Sequence, residues 1–165
     1  MKIKGCGDFW RLAETMKRIL LTCHGNICRS PMAEMILKHL VRERGLAGYV
    51  IDSAAVSREE TGNGVYPPAK RELAAHGIRC EEHRARQVTA ADYEKWDHFV
   101  CMDMSNVTRI LRIFGRDNER KVHRLLDFTG KAADVADPWY SDRFDIAYQD
   151  ILRGCEALLD YLEKV

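Results

Sequence analysis

Apolar residues along the chain follow two recurring patterns: short unbroken runs, and longer stretches spaced three and four apart. Arg18–Thr22 (RILLT) is a short run and predicts a strand. Pro31 to Arg44 follows with Met32, Met35, Ile36, Leu40 and Val41 at helical spacing, and Gly45 is a natural stop. Tyr49–Val56 (YVIDSAAV) predicts a second strand. Pro67 and Pro68 suit the first turn of a helix that runs to His76, before Gly77. Thr89-Ala90-Ala91-Asp92 has the form of a helix start, with Asp92 standing where a capping box carries Glu or Gln. His98–Met102 (HFVCM) is a third strand, followed by a helix from Met104 to Phe114 that ends at Gly115. Lys121–Leu126 is a fourth strand. The last helix runs from Phe144 to Glu163, with Ile151, Cys155, Leu158 and Leu162 on one stripe.

Strands alternating with helices predict βαβ units and a parallel sheet. The expected fold is α/β, a three-layer αβα sandwich around four parallel strands. Ligands bind such sheets at the carboxyl ends of the strands. The loop after Thr22 and the one after the fourth strand are therefore the candidate site loops.

Residues 1–16 sit outside the pattern. Phe9, Leu12, Ala13 and Met16 have helical spacing and Asp8 could cap them, which fits a docked or frayed extension. Met16-Lys17 also suits a true start. Residues 17–165 read as one domain.

Composition narrows the class. At 165 residues the chain suits one domain with one core, and 46% hydrophobic residues exclude general disorder. Lys and Arg number 26 against 25 Asp and Glu, so no bulk attraction to nucleic acid or anionic membrane is expected. No apolar run approaches the ~18 residues of a membrane span. Met1 to Thr15 lacks the apolar stretch of a secretory signal. Six cysteines stand at 6, 23, 28, 80, 101 and 155, without CxxC or zinc-finger spacing. The expectation is a cytoplasmic protein with free thiols, at least one of them reactive.

The loop after the first strand carries the chemistry: Cys23-His24-Gly25-Asn26-Ile27-Cys28-Arg29-Ser30-Pro31. It leaves a strand and opens a helix, so backbone N–H groups converge where the helix dipole is positive. Gly25 and Asn26 tolerate the left-handed geometry such a nest requires. Pro31 costs no donor in a first helical turn. The loop is suited to a tetrahedral oxyanion, held by His24, Gly25, Asn26, Ile27, Cys28 and Arg29. Cys23 lies on its floor, where the same amides favour a thiolate. Arg29 supplies a planar fork for two phosphate oxygens. Ser30 offers a hydroxyl to the sulfur.

Cysteine followed six positions later by arginine recurs at Cys80 and Arg86. That pair has no glycine, no hydroxyl residue after the arginine and no preceding strand. Context, rather than the two-residue pattern, singles out Cys23. Cys28 is either a packing thiol or a redox partner that forms a reversible disulfide with Cys23.

The sequence strongly resembles the low-molecular-weight protein-tyrosine-phosphatase family, in its bacterial form. The resemblance rests on five ordered stretches: CHGNICRSP at 23–31, IDSAAVS at 51–57, Gly77-Ile78 with HRARQV at 83–88, CMDMSN at 101–106 and DPWY at 137–140. It implies a phosphotyrosine-protein phosphatase that works through a phosphocysteine on Cys23 and needs no metal or cofactor. Asp137, before Pro138, is the implied general acid and base; Asp134 and Asp142 are rivals outside the motif. Trp139 and Tyr140 would wall a slot deep enough for phosphotyrosine, with His24 at its rim; each also has a plain reading, as packing or a solvated loop residue. His83 and Arg86 match positions that brace the phosphate loop, partly through Asn26.

Two positions bear on specificity. Glu59 falls near a position that is aromatic in animal members, so one wall would be acidic and suit a cationic substrate. Ile27 stands where the protein-arginine-phosphatase branch carries threonine, and its bulk favours tyrosine. The expected partner is a phosphotyrosine protein, acted on by a monomer or weak dimer. The alternatives are a protein-arginine phosphatase, an arsenate reductase of the same fold, or a phospho-ligand module without turnover. An arsenate reductase would need a further redox cysteine pair, and Cys80 has no neighbouring partner in sequence.

Overall fold

Ile19, Leu20 and Leu21 are all fully buried, which a strand achieves only when both faces are covered. They belong to β1 (Lys17–Cys23), the strand between β2 (Tyr49–Ala55) and β3 (His98–Cys101). A fourth strand, β4 (Val122–Arg124), pairs with β3 at one edge, giving the order β2-β1-β3-β4. All pairings are parallel, with Ile19 opposite Ile51 on one side and His98 on the other. These strands and their helices are seen in a computed structural model that describes residues 16–165. The helical spacing through Phe9, Leu12 and Ala13 lies outside the described residues.

Alternation along β1 divides the core. Ile19 and Leu21 face α1 (Arg29–Glu43), α2 (Pro67–Ala75) and α6 (Phe144–Lys164), meeting Met32, Ile36, Leu73, Ile151, Cys155 and Leu158. Leu20 and Phe99 face the opposite way, towards Tyr93 of the short α3 (Asp92–Lys95) and Ile110 of α4 (Met104–Phe114). The four stripe residues of α6, Ile151, Cys155, Leu158 and Leu162, are fully buried. The result is the α/β architecture with a four-stranded parallel centre. No helix among the described residues is long and apolar enough to cross a membrane.

Several boundaries differ from the sequence pattern. Helix α1 starts at Arg29, two residues before Pro31. Proline is tolerated there because first-turn amides have no partner within the helix. The fourth strand stops at Arg124, and Leu125–Thr129 forms a 3-10 turn that buries both Leu125 and Leu126. Asp137 caps a further short helix, α5 (Pro138–Ser141). Asp92 does reach back as a capping-box acid would, its Oδ2 accepting from the Thr89 amide at 2.8 Å. Burial pushes the Asp92 carboxyl up, but the Thr89 amide and the Arg86 guanidinium outweigh it and hold it below its ordinary range.

Candidate active site

Cys23 is the last residue of β1, at the carboxyl end of a central strand, and is 3% exposed. Its Sγ lies 3.0 Å from Ser30 Oγ and accepts the Asn26 amide at 3.3 Å. Asn26 Nδ2 donates to Ser30 Oγ at 2.8 Å, which leaves the serine proton free to point at the sulfur. Asn26 is fully buried at φ 61°, a left-handed conformation that asparagine tolerates better than most residues. Its remaining contacts explain how that conformation is held. Nδ2 also donates to Ser53 Oγ at 3.0 Å, Oδ1 accepts from the Arg86 amide at 3.3 Å, and the carbonyl accepts from His83 Nε2 at 2.7 Å. Ser53 in turn donates to Glu34 at 2.6 Å, and Glu34 is paired with Lys38 at 2.8 Å.

The loop carbonyls point away from the cavity. Val56 donates to Cys23 O, Ser57 to His24 O, Tyr66 to Ile27 O and Met32 to Cys28 O. A trans peptide sets the next N–H opposite each carbonyl. The amides of His24, Gly25, Ile27, Cys28 and Arg29 therefore turn the other way, and form a nest at the start of α1.

Arg29 opens α1 and is 2% exposed. Nη1 donates to Asp103 Oδ2 and to Val135 O, both at 2.8 Å, while Nη2 lies 3.5 Å from Asp137 Oδ2. Burial pulls the guanidinium pKa down, but the Cys23 sulfur and the Asp103 and Asp137 carboxylates outweigh it and raise it. The neighbouring Cys28 behaves differently. Burial, with Cys23 and Asp137 nearby, pushes its thiol up to about 12, so it stays protonated near neutrality.

Asp137 Oδ1 caps α5 by accepting the Trp139 amide at 3.0 Å, which leaves Oδ2 on the Arg29 side. Asp137 lines the cavity of Cys23 and Arg29, whereas neither Asp134 nor Asp142 does. Asp134 instead accepts from the Met104 amide and Arg124. Trp139 and Tyr140 also line the cavity, Trp139 tilted against Tyr66 with ring centroids 5.1 Å apart. His24, Glu59 and Glu60 line it as well, with His24 Nε2 2.9 Å from Glu59 Oε2.

The expected residues thus converge, with one adjustment. His83 and Arg86 both brace Asn26, but Arg86 does so through its backbone, and its guanidinium belongs to Asp92. Sequence reasoning missed Asp103, Glu60 and Tyr66. Asp103 had a readable signal, an Asp three residues before Asn106 at a helix start. Its hold on Arg29 spans 74 positions and had none.

A family model described as low molecular weight phosphotyrosine protein phosphatase matches residues 18–165. The chain is 37% identical over 152 residues to the low molecular weight protein-tyrosine-phosphatase YfkJ of Bacillus subtilis, covering 90% of this chain and 97% of that one. It is 37% identical to the low molecular weight phosphotyrosine protein phosphatase of Sus scrofa, over 92% of this chain and 98% of that one. The crystal structure of YfkJ superposes with a TM-score of 0.87 at 36% identity, over 90% and 96% of the two chains. A Drosophila arginine phosphatase superposes at 0.79 and 31% identity, over 88% and 97%. With a strand-to-helix loop that nests around a buried cysteine and arginine, the chain belongs to the low molecular weight phosphotyrosine protein phosphatase family.

Proposed function

We propose that the chain is a protein-tyrosine phosphatase that hydrolyses aryl phosphate monoesters through a phosphocysteine on Cys23. The observation that carries this reading is the convergence of three groups on one cavity: the hydrogen-bonded sulfur of Cys23, the guanidinium of Arg29 and the carboxyl of Asp137. Cys23 attacks phosphorus as the thiolate. A P–S bond forms while the P–O bond to the phenol breaks. Arg29 and the loop amides hold the equatorial oxygens as charge spreads over them. Asp137 gives its proton to the departing oxygen. Asp137 then takes a proton from water, whose oxygen attacks phosphorus. The P–S bond breaks with its electron pair returning to sulfur, and orthophosphate leaves. The Ser30 hydroxyl stabilises that sulfur in both steps. The neutral state of Cys28 favours Cys23 over it as the attacking group. Cys28 in this reading is the thiol that protects an oxidised Cys23 by forming a disulfide.

Trp139 and Tyr140 flank the substrate ring, with His24 at the rim. His83 and Arg86 act through Asn26, and no metal or cofactor takes part. The substrate is a phosphotyrosine protein of the cytoplasm, and residues 17–165 hold every part the chemistry uses. Ile27 lines the cavity with an apolar side chain, which favours a phenyl ring over a guanidinium.

Turnover of p-nitrophenyl phosphate in excess chelator tests the mechanism. Wild type is expected to turn over, Cys23→Ser to lose activity, and Asp137→Asn to fall by roughly 10²–10⁴-fold. Full turnover in Cys23→Ser, or its loss on chelation, overturns the mechanism. Faster release of phosphate from phosphoarginine than from phosphotyrosine peptides moves the substrate class.

A further inference from the structure

Glu59 and Glu60 both line the cavity that holds Cys23. Adjacent carboxylates repel each other and ordinarily turn to solvent. Here each has an anchor: His24 lies 2.9 Å from Glu59 Oε2, and Asn63 Nδ2 donates to Glu60 Oε2 at 2.7 Å. The Glu60 stem lies against the phosphate loop, since a Cβ added at Gly25 would meet its Cγ at 3.1 Å. Trp139 and Tyr140, which also line the cavity, carry no charge. Among the described residues, neither carboxylate is in an ion pair with Lys or Arg; the partner of Glu59 is His24. Arg29 faces inward and is bound by Asp103 and Val135. Arg58 is exposed and lies outside the cavity lining. The floor of the site is therefore positive and one wall of its mouth is negative.

We propose that Glu59 and Glu60 make the enzyme selective for phosphotyrosine flanked by Lys or Arg, and turn away phosphotyrosine flanked by acidic residues. The inference rests on the phosphatase reading and names its substrate class. Residues beside a bound phosphotyrosine are ~3.8 Å apart along the chain. Their side chains thus come within the ~8 Å over which charges act at physiological salt. A basic flank gains attraction at the rim, and an acidic flank meets a like-charge barrier, the repulsive half of a specificity filter.

The test compares two phosphotyrosine peptides of equal length, one with Lys and one with Glu at the two positions on each side. The expected kcat/KM ratio is about tenfold in favour of Lys at low salt, shrinking towards unity in 1 M NaCl. In the Glu59→Gln/Glu60→Gln protein the ratio is expected to collapse. A ratio of one or less in wild type, or a ratio unchanged in the double variant, overturns the proposal. Hydrolysis of p-nitrophenyl phosphate, run alongside, reports separately on the phosphatase reading. The same two peptides titrated calorimetrically onto Cys23→Ser protein read the rim without turnover: tighter binding of the Lys peptide supports the filter, and equal binding ends it.

Discussion

One oxygen of the Asp103 carboxylate accepts the Asn106 amide in the first turn of α4, and the other holds Arg29 Nη1. A single side chain thus ends one element and aims the guanidinium of another. Asn is as good an N-cap as Asp, so Asp103→Asn keeps the helix start but removes the charge beside Arg29. The expected outcome is a fall of about tenfold in kcat/KM for an aryl phosphate, as a charge-assisted hydrogen bond is lost. Circular dichroism is expected to show unchanged helix content. Asp103→Ala loses both bonds, so its melting temperature should drop below that of Asp103→Asn. Retained activity in Asp103→Asn would show that Val135 O alone is enough to aim Arg29.

Between elements, a close approach occurs at Gly154 of α6. A Cβ there would stand 2.5 Å from Leu125 Cγ, and Leu125 is fully buried. Ala is ordinarily favoured over Gly inside a helix by about 1 kcal/mol. Overpacking a filled core costs about 1–3 kcal/mol, and the contact involves the branch point of a side chain with nowhere to go. Gly154→Ala is therefore expected to lower the melting temperature by about 2–4 °C per kcal/mol of net loss. Adding Leu125→Ala should show strong non-additivity in a double-mutant cycle; additive effects would mean that α6 shifts as a body instead. This contact also marks how far the elements were legible. The 3.6-residue stripe of α6 and the Met104–Phe114 helix with its Gly115 stop could be read directly, because local spacing and caps encode them. The turn at Leu125–Thr129 could not, because two adjacent leucines suit a strand or a turn equally, and α6 decides. Within the site, Cys23 to Ser30 was legible as one contiguous loop. The His24–Glu59 and Arg29–Val135 contacts, 35 and 106 positions apart, come from the fold alone.

The molecule as a whole responds to pH through groups far from the cavity. His98 and His123 carry pKa values below the ordinary range, chiefly because burial disfavours the cation; His123 adds to the lowering at His98, whereas Asp117 and Asp127 oppose it at His123. Below about pH 6.5 the unfolded chain takes up protons that the folded chain resists. Their stabilising contribution is therefore complete above that pH, and is lost as pH falls towards the folded values. Asp92, with its pKa lowered, adds a second loss below about pH 4. His98 Nδ1 is buried without a hydrogen-bond partner among the described residues. Replacing such a group by an apolar one is close to neutral, so His98→Leu should melt no lower than wild type at pH 8. Its decline between pH 7 and pH 5 should be shallower. An equal decline in both proteins would assign the acid sensitivity to other groups.

The outward carbonyls of the Cys23 loop have a consequence for turnover itself. Those bonds are made by the protein, from Val56, Ser57, Tyr66, Met32 and His83, so the nest is formed before any anion arrives. In the proposed mechanism free orthophosphate would meet the same amides as the ester it came from. Competitive inhibition by orthophosphate is therefore expected, read as a rise in KM for p-nitrophenyl phosphate as phosphate is added.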